Sequence, residues 1–277
     1  MVKALEHNPR MAWDRIAASY DRTNTSTQMW LANEGLSRVG LHSGMRFLDV
    51  AAGSGALSIP AARRGADVLA TDQSPVMLEL LAARARQERL IIETRVMDGH
   101  TLELPDNSFD VVGSQFGVML FPNMPQGIRE MVRVARPGGA VLVHAYGDPH
   151  QIDFLGFLVR ALQSVHPTFN GPPMDPPPFE FQLADPERLR GEFAAAGLSN
   201  IRVETVIETT EFESGNDLWD WIVSSNPIVE CLLNPLNLTT DETQLVKQAL
   251  ETMVRDRAGR NNIARLANPV NIGIGTK

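Results

Sequence analysis

Residues 45–55 read Met-Arg-Phe-Leu-Asp-Val-Ala-Ala-Gly-Ser-Gly, and the helix-forming residues 56–64 follow at once. The mostly apolar residues 46–50 predict a buried strand, and the two glycines that come after them, Gly53 and Gly55, predict a tight turn. Glycines let a backbone approach a bound molecule closely, and the start of a helix offers free N–H groups. This unit of strand, turn and helix therefore predicts a binding pocket for a small ligand.

The rest of the chain alternates between predicted strands and helices in the same way. Repeated strand–helix units of this length predict an α/β fold with a Rossmann-like, doubly wound, mainly parallel sheet that carries helices on both faces. The predicted strands are residues 46–50, 67–71, 91–97, 109–114, 140–144, 201–207 and 269–275. The predicted helices are residues 9–19, 29–39, 56–64, 75–88, 126–135, 152–165 and 186–196, with a longer helical region at 215–257.

Two insertions break this alternation, and both follow predicted strands. Lids placed there lie over the carboxyl edge of the sheet, where open α/β sheets bind their ligands. The first insertion contains the proline-rich residues 172–178, which predict a loop. The resulting division is an N-terminal helical cover (1–44), a cofactor-binding core (45–146), a lid insertion (147–184), the continued core (185–209), a helical lid insertion (210–262) and the last strand of the core (263–277).

Composition narrows the range of partners. A formal net charge of −8 without any Lys/Arg-dense run argues against a nucleic-acid binder. Residues 1–7 lack the apolar stretch of a signal peptide, and no apolar run is long enough to span a bilayer. The single cysteine, Cys231, excludes an internal disulfide and a multi-thiolate metal site. We expect a cytoplasmic protein with a small-molecule substrate and no nucleic acid, membrane or metal partner; a homo-oligomer is compatible with the sequence.

Three acids at or near the ends of successive predicted strands, Asp49, Asp72 and Asp98, favour one cofactor over another. A dinucleotide fold requires G-x-G-x-x-G at the first turn, but Ser58 stands where the third glycine belongs. A buried carboxylate at Asp49 needs a donor or a cation nearby, and a pyrophosphate would repel it. Asp72 suits either cofactor, because it can bind ribose hydroxyls. The three acids together match the ammonium, the ribose diol and the adenine amine of S-adenosylmethionine.

Several short motifs occur in a family-specific order. Residues 47–55 are similar to D-x-G-x-G-x-G, with Ala51 in place of the first glycine. Further motifs lie at Asp72 with Met77, at Asp98-Gly99, at residues 109–116, at residues 136–139 and at Trp13 with Tyr20-Asp21. This ordered set resembles the class I S-adenosylmethionine-dependent methyltransferases, of the ubiquinone/menaquinone-biosynthesis-like (methyltransferase type 11) branch. The resemblance spans residues 10–145 and the last two strands.

The resemblance implies a sheet of seven strands with an antiparallel last strand. It also implies S-adenosylmethionine as cofactor and S-adenosylhomocysteine as product. The acid at the end of the second strand, Asp72, would hold the ribose. The cofactor contacts implied by the motifs, or predicted around them, are Tyr20, Asp49, Ala51, Gly53, Gly55, Asp72, Gln73, Met77, Asp98, Gly99 and Gln115.

The expected reaction is methyl transfer by in-line displacement to a small, fairly apolar metabolite, with oxygen, nitrogen and carbon acceptors all open. Residues 113–117 read Gly-Ser-Gln-Phe-Gly and lack the Pro-Pro-aromatic motif of enzymes that methylate DNA bases or protein glutamines. Among the histidines near strand ends, His144 is our candidate for a general base. Two alternatives are a cofactor-binding protein that no longer methylates and a nicotinamide-dependent oxidoreductase. Aromatic residues of the insertions either line the substrate pocket or form the core of the insertions: Phe154, Phe157, Phe169, Phe179, Phe181, Trp219 and Trp221.

Overall fold

One seven-stranded sheet forms the centre of the chain in a computed structural model that describes residues 9–225 and 233–277. Its strands are β1 (Arg46–Val50), β2 (Asp67–Asp72), β3 (Ile92–Val96), β4 (Phe109–Gln115), β5 (Ala135–Tyr146), β6 (Ser199–Phe212) and β7 (Ala264–Thr276). The order across the sheet is β3-β2-β1-β4-β5-β7-β6. Strands β1 to β5 are parallel, and β7 runs antiparallel to both β5 and β6. The predicted fold class is therefore confirmed. Cys231 lies outside the described residues.

Helices flank this sheet, as the strand–helix alternation predicts. Those of the described residues are α1 (Pro9–Tyr20), α2 (Ser26–Arg38), α3 (Ser58–Arg63), α4 (Pro75–Gln87), α5 (Met124–Val134), α6 (Asp153–Gln163), α7 (Pro186–Ala195), α8 (Gly215–Ser225) and α9 (Thr240–Ala258). None of the helices in the described ranges is long and apolar enough to cross a membrane.

The central strand β1 shows why the sheet is continuous and buried. It pairs with β2 on one side and with β4 on the other. Its side chains Phe47, Leu48 and Val50 are fully buried, because both faces of a parallel sheet are covered. The same strand buries a carboxylate, Asp49, near its carboxyl end. The sheet thus brings an acid into its interior, beside the turn that follows β1.

Helix starts are set by local side-chain caps. The Ser74 hydroxyl accepts a hydrogen bond from the backbone N–H of Met77, and Pro75 occupies the first turn of α4. At the start of α9, Thr239 and Glu242 form a capping box in which each side chain accepts a backbone N–H of the other. These caps fix where the helices begin relative to the strand ends, and therefore where the first turn of α4 faces the ligand edge.

The N-terminal cover differs from the prediction in one respect. We predicted two helices separated by a polar run, but a π-helical turn, Asp21–Thr25, joins α1 to α2. Polar residues usually mark a loop, yet here the buried Asn24 and Thr25 direct their side chains to partners inside the protein. The cover is therefore one nearly continuous helical segment rather than two helices with a linker.

Strands β6 and β7 are longer than predicted. We expected them at residues 201–207 and 269–275, whereas their pairing continues to Phe212 and starts at Ala264. The end of β6 lacks the apolar alternation that predicts a strand, because residues 208–211 read Glu-Thr-Thr-Glu. Strand β5 ends opposite Val270 of β7, at Tyr146, so the two long strands project beyond it as a two-stranded ribbon. This β6–β7 ribbon reaches past the carboxyl edge of the parallel strands.

The insertions have a hydrophobic core of their own. Helices α6, α8 and α9 pack together with the ends of β6 and β7 around buried residues that include Phe157, Trp219 and Leu250. A separate and larger core includes residues on both faces of the sheet, among them Phe47, Leu48 and Met124. The helical cap is therefore a packed layer placed above the carboxyl edge of the sheet.

Candidate active site

A cavity of about 480 Å³ opens at the carboxyl ends of β1, β2 and β4. Such volumes are typical of small-molecule sites, which α/β sheets place at this edge. All but one of the predicted cofactor contacts line it, namely Tyr20, Asp49, Ala51, Gly53, Asp72, Gln73, Met77, Asp98, Gly99 and Gln115. The structure therefore brings these residues to one place, while Gly55 and His144 do not line the cavity.

Asp72, at the end of β2, is held in place by the backbone. Its two carboxylate oxygens accept hydrogen bonds from the N–H groups of Gly53 and Ser74, both at 2.8 Å. Burial raises the pKa of this carboxyl above its usual value, although the same two N–H groups act to lower it. A carboxylate oxygen has room for more than one donor, so Asp72 keeps acceptor capacity toward the cavity.

Asp49 presents an unmet acceptor. One of its oxygens accepts a hydrogen bond from the Ser58 hydroxyl at 2.5 Å, while the other, Oδ1, is buried and has no hydrogen-bond partner among the described residues. Burial raises its pKa to about 7, the Ser58 hydroxyl lowers it, and the nearby charge of Asp72 raises it further. A buried carboxylate oxygen without a partner is unfavourable, so this position is suited to a cationic donor from a ligand.

Asp98 belongs to a turn that also shapes the cavity. Its carboxylate accepts hydrogen bonds from the backbone N–H of His100 at 2.9 Å and from ring Nδ1 of the same residue at 2.7 Å. Burial acts to raise the pKa of Asp98, but these bonds and the charge of His100 hold it below its usual value. The His100 ring lies 4.6 Å from that of Phe121, and both side chains line the cavity.

The first turn owes its shape to three residues with positive φ. Gly53 has φ 53° and open space around its Cα, whereas Gly55 has φ 98° and lies against Leu81. A Cβ at Gly55 would lie 2.8 Å from Leu81 Cγ, so this glycine permits close packing of α4 rather than ligand contact. Ala51 also has positive φ, at 56°, a conformation that disfavours residues with a Cβ. The family motif has glycine at this position.

Two short hydrogen bonds fasten the N-terminal cover to the site. The Thr25 and Ser54 hydroxyls lie 2.5 Å apart, which ties the π-helical turn to the Gly-x-Gly turn. The Ser74 hydroxyl donates to Asp14 of α1 at 2.5 Å. The cover therefore contacts the loops after both β1 and β2, and this closes the cavity from above.

Four residues are linked by hydrogen bonds that run from the cavity into the sheet. The Tyr20 hydroxyl donates to Oε1 of Gln28 at 3.1 Å, and the Gln115 amide donates to the backbone carbonyl of Gln28 at 3.2 Å. The Gln115 Oε1 in turn accepts from ring Nδ1 of His144 at 2.8 Å. Because an amide that donates through nitrogen must accept through oxygen, His144 fixes how Gln115 faces the cavity.

His144 itself is not positioned to act as a base. Its side chain is fully buried against α2, where a Cβ at Gly35 would overlap its Nε2. Burial lowers its pKa to about 3, and the charge of Arg38 adds to this effect. The predicted general base therefore has no access to a substrate in this structure. His144 orients Gln115 instead. It lies near the carboxyl end of β5, but its side chain packs toward α2 and does not reach the cavity.

Three further residues line the cavity that are not among the cofactor contacts predicted from the sequence. Gln28, Phe116 and Glu180 line the cavity, and Glu180 is only 4% exposed. Phe116 has φ 54° and stacks on Tyr146 at 4.7 Å, which turns the chain after β4 toward the cavity. The motif after β4 indicated Phe116, but no local pattern marked the acid inside a proline-rich loop.

The aromatic residues of the insertions divide between the two roles considered. Phe179 lines the cavity. The ring of Phe181 lies 6.4 Å from that of Tyr146. The remaining five belong to or pack on the core of the helical cap, namely Phe154, Phe157, Phe169, Trp219 and Trp221.

Comparison with known proteins supplies a family for this arrangement. Residues 48–143 match the Methyltransf_11 family, described as a methyltransferase domain. An uncharacterized protein of Mycobacterium tuberculosis is 38% identical over 143 residues, which cover 52% of this chain and 50% of that protein. The demethylmenaquinone methyltransferase of Renibacterium salmoninarum is 35% identical over 162 residues, which cover 55% of this chain and 66% of that enzyme. The chain thus spans about half the length of the first of these relatives and under two thirds of the second.

The fold agrees with solved structures as well. The YcgJ protein of Bacillus subtilis superposes with a TM-score of 0.58 at 14% identity, over 90% of this chain and 97% of that one. A likeness at this identity concerns the fold alone. The family match, the relatives and the order of the strands identify residues 48–143 as the core of a class I S-adenosylmethionine-dependent methyltransferase domain.

Proposed function

We propose that this protein transfers a methyl group from S-adenosylmethionine to a small, fairly apolar metabolite. The observation that carries the proposal is the buried Oδ1 of Asp49 on the cavity, which has no hydrogen-bond partner among the described residues and fits the ammonium group of the methionine part. Asp72 would accept the ribose hydroxyls, and Asp98 the adenine amine. Met77 is buried to 2% exposure on the wall of the cavity and offers an apolar surface to the adenine. The residues present therefore fit this cofactor.

The nicotinamide alternative fits these residues less well. A dinucleotide would bring a pyrophosphate to the first turn, close to the carboxylates of Asp49 and Asp72. Asp49 is buried, and the nearby charge of Asp72 already raises its cost of ionisation, so a further anion would be repelled. A descendant that binds the cofactor without methylating keeps the same acids. A binding measurement distinguishes the nicotinamide alternative from the proposal, and a turnover measurement distinguishes the non-methylating descendant from it.

The chain's own contribution to the reaction is positioning and exclusion of water. The bound cofactor supplies an electrophilic methyl group on a sulfonium. Tyr20 and Gln28 are kept in place by their hydrogen bond, and the N-terminal cover that carries them closes the part of the cavity that they line. Holding the reacting groups in line and removing water lowers the barrier without a dedicated base.

The acceptor end of the cavity supports a small substrate with an apolar body. Phe116, Leu120 and Phe179 contribute apolar surface to the cavity, whereas Phe121 packs on His100 beside Asp98. Oxygen, nitrogen and carbon acceptors all fit such a wall in general terms. The expected partner is a small molecule, and the proposal includes neither a nucleic acid nor a membrane surface.

Two measurements test the proposed function. Calorimetry with the full chain should show binding of S-adenosylhomocysteine and none of NADH; the reverse preference would favour the oxidoreductase. Incubation with methyl-labelled S-adenosylmethionine and a metabolite extract should then move label into a small molecule. Binding of the cofactor without any movement of label would favour the non-methylating alternative.

A further inference from the structure

The edge strand β3 offers a surface that is complementary to itself. It pairs with β2 on one side and ends the sheet order, so no strand of the described residues lies beyond it. Residues 91–97 read Ile-Ile-Glu-Thr-Arg-Val-Met. Ile91 is 92% exposed and Val96 is 55% exposed. An edge strand with exposed apolar side chains is a template on which another strand can pair.

The backbone shows which groups of β3 face this edge. The N–H of Met97 donates to the carbonyl oxygen of Asp72, the last residue of β2, at 3.0 Å. Backbone groups of successive residues in a strand point to opposite sides, so every second residue faces the same neighbour. The N–H and C=O groups of Ile92, Thr94 and Val96 therefore point away from β2. These are the groups that a further strand would meet.

An antiparallel copy of β3 centred on Thr94 matches these groups. In that register Thr94 lies opposite Thr94 of the second copy, and Ile92 lies opposite Val96 of the second copy. All three residues face outward, so each pair exchanges both of its N–H···O bonds, as the hydrogen-bonded pairs of an antiparallel ladder do. Ile91 then lies opposite Met97 of the second copy, which adds an apolar pair at both ends.

The charges on β3 match in the same register. Glu93 lies opposite Arg95 of the second copy, and the reciprocal pair lies across the axis. Facing residues of opposite charge stabilise a strand pair, and these non-hydrogen-bonded positions bring side chains closest. In the single chain, Arg95 Nη2 lies 2.6 Å from Glu93 Oε1, and the two side chains are 46% and 59% exposed. Such an exposed ion pair contributes little, so it rearranges across the axis at low cost.

The opposite edge of the sheet lacks this complementarity. Strand β6 carries one basic residue, Arg202, and three acids, Glu204, Glu208 and Glu211. Its Glu204 already accepts a hydrogen bond from Arg38 of α2 at 3.1 Å. Two copies of this strand would bring an excess of acids together, and like charges on facing strands are destabilising. Strand β3 is therefore the edge that fits a second copy.

We propose that two copies of this chain associate through β3, which joins their sheets into one continuous sheet across a two-fold axis at Thr94. Val96 of each copy then lies beside Ile92 of the other, whose side chain packs on the cluster that contains Leu81 of α4. The exposed apolar surface of Val96 is thereby covered. Because the paired strands are antiparallel, the two cavities open at opposite edges of the joined sheet. The association is therefore independent of the proposed function.

Sedimentation equilibrium of the full chain measures this association. We expect a reversible dimer with a dissociation constant on the order of micromolar, since a short edge strand forms a small interface. Glu93→Arg makes the edge wholly basic and Arg95→Glu makes it wholly acidic, so each variant alone should associate at least about tenfold more weakly. An equimolar mixture of the two should dimerise again, because every acid then faces a base. Glu187→Arg, at an exposed ion pair on α7, should dimerise as wild type does.

Three results of these experiments would overturn the proposal. They are a wild type that stays monomeric at up to about 100 μM, charge variants that each dimerise as wild type does, and a mixture of the folded variants that stays monomeric. Circular dichroism establishes that each variant is folded, and recovery in the mixture excludes misfolding as the cause of dissociation.

Cross-linking tests the register and does not depend on the charge variants. In a Cys231→Ser background, Thr94→Cys should form a disulfide-linked dimer under mild oxidation. Facing residues of a hydrogen-bonded pair have Cα atoms about 5.5 Å apart, which is a distance that a disulfide spans. Glu187→Cys in the same background should remain unlinked. Absence of the link in Thr94→Cys, or equal linking of both variants, would overturn the two-fold axis at Thr94.

Discussion

The Ser58 hydroxyl donates to one oxygen of Asp49 at 2.5 Å and leaves the other oxygen buried without a partner among the described residues. This asymmetry makes the carboxyl half-satisfied in the free protein. Its pKa is raised to about 7 by burial, against the lowering effect of Ser58. The group is therefore a source of instability at neutral pH and a binding determinant for a cation, and both properties are measurable.

The first prediction concerns stability against pH in the ligand-free protein. The folded-state pKa of Asp49 lies above its ordinary value. The contribution of this carboxyl to folding stability is therefore fully present at low pH and is lost as pH rises toward about 7. As pH rises from about 5 to about 8, the free energy of unfolding of Asp49→Asn should therefore fall by about 2–4 kcal/mol less than that of wild type. Urea unfolding at several pH values measures this. Parallel pH curves for wild type and variant would contradict it, and Asp67→Asn, at an exposed strand start, is the control.

The second prediction concerns cofactor affinity against pH. The ammonium group of the cofactor binds the ionised form of Asp49. Below about pH 7, cofactor binding must therefore remove a proton from the Asp49 carboxyl. Affinity for S-adenosylhomocysteine should fall about tenfold per pH unit in that range. Calorimetry at pH 6 in buffers of different ionisation enthalpy should show release of about one proton, and none in Asp49→Asn. A pH-independent affinity would show that Asp49 does not meet the ammonium.

The third prediction follows from the backbone of Ala51. Its φ of 56° is strained for a residue with a Cβ, whereas Ala52 is not among the positive-φ residues. Ala51→Gly should leave stability unchanged or raise it by up to about 1 kcal/mol, because the relieved strain offsets the added freedom of the unfolded chain. Ala52→Gly should lower it by about 1 kcal/mol. Thermal and urea unfolding compare the two, and an equal loss in both variants would show that Ala51 is unstrained.

The fourth prediction tests the contact between Gly35 and His144. A Cβ at Gly35 would overlap the imidazole, so Gly35→Ala should destabilise by about 1–3 kcal/mol through overpacking. In a His144→Ala background the same change should have little further effect, since the space is then free. Urea unfolding of the four proteins forms a double-mutant cycle. Additive losses would mean that the two side chains do not meet.

Cofactor binding by the His144→Ala variant separates a positioning role for His144 from a catalytic one. Loss of the ring should loosen Gln115, which accepts its hydrogen bond, and thereby weaken cofactor binding modestly. It should leave the pH dependence of cofactor affinity in place, because the His144 pKa of about 3 lies outside the working range. His150→Ala, an exposed position, is the matched control.

Much of the site follows from local sequence, and the remainder depends on long-range packing. Asp49, Gly53 and Asp72 were predictable because each lies at a strand end or turn whose hydrophobic pattern is strong. Gly55 was predicted as a ligand contact, but it serves the packing of α4 against Leu81. His144 sits on a strand near the site, yet which face of β5 it occupies depends on the register with β4.

Glu180 and Glu208 show what a single sequence does not reveal. Glu208 is buried because β6 and β7 pair beyond the end of β5, and its segment reads as polar in isolation. Glu180 is buried because Gln182 anchors its loop to the chain after β4, some sixty residues away in sequence. Neither pairing leaves a local signal, so both acids were missed.

The central claim is that carboxylates at adjacent strand ends hold one sulfonium nucleoside, and Asp72 is the most direct test. Its oxygens are fixed by the N–H groups of Gly53 and Ser74. Calorimetry should show that Asp72→Ala binds S-adenosylhomocysteine at least about tenfold more weakly than wild type. Asp67→Ala, at the opposite end of the same strand, should bind as wild type does. Equal affinity of Asp72→Ala and wild type, or no binding by wild type, would contradict the account.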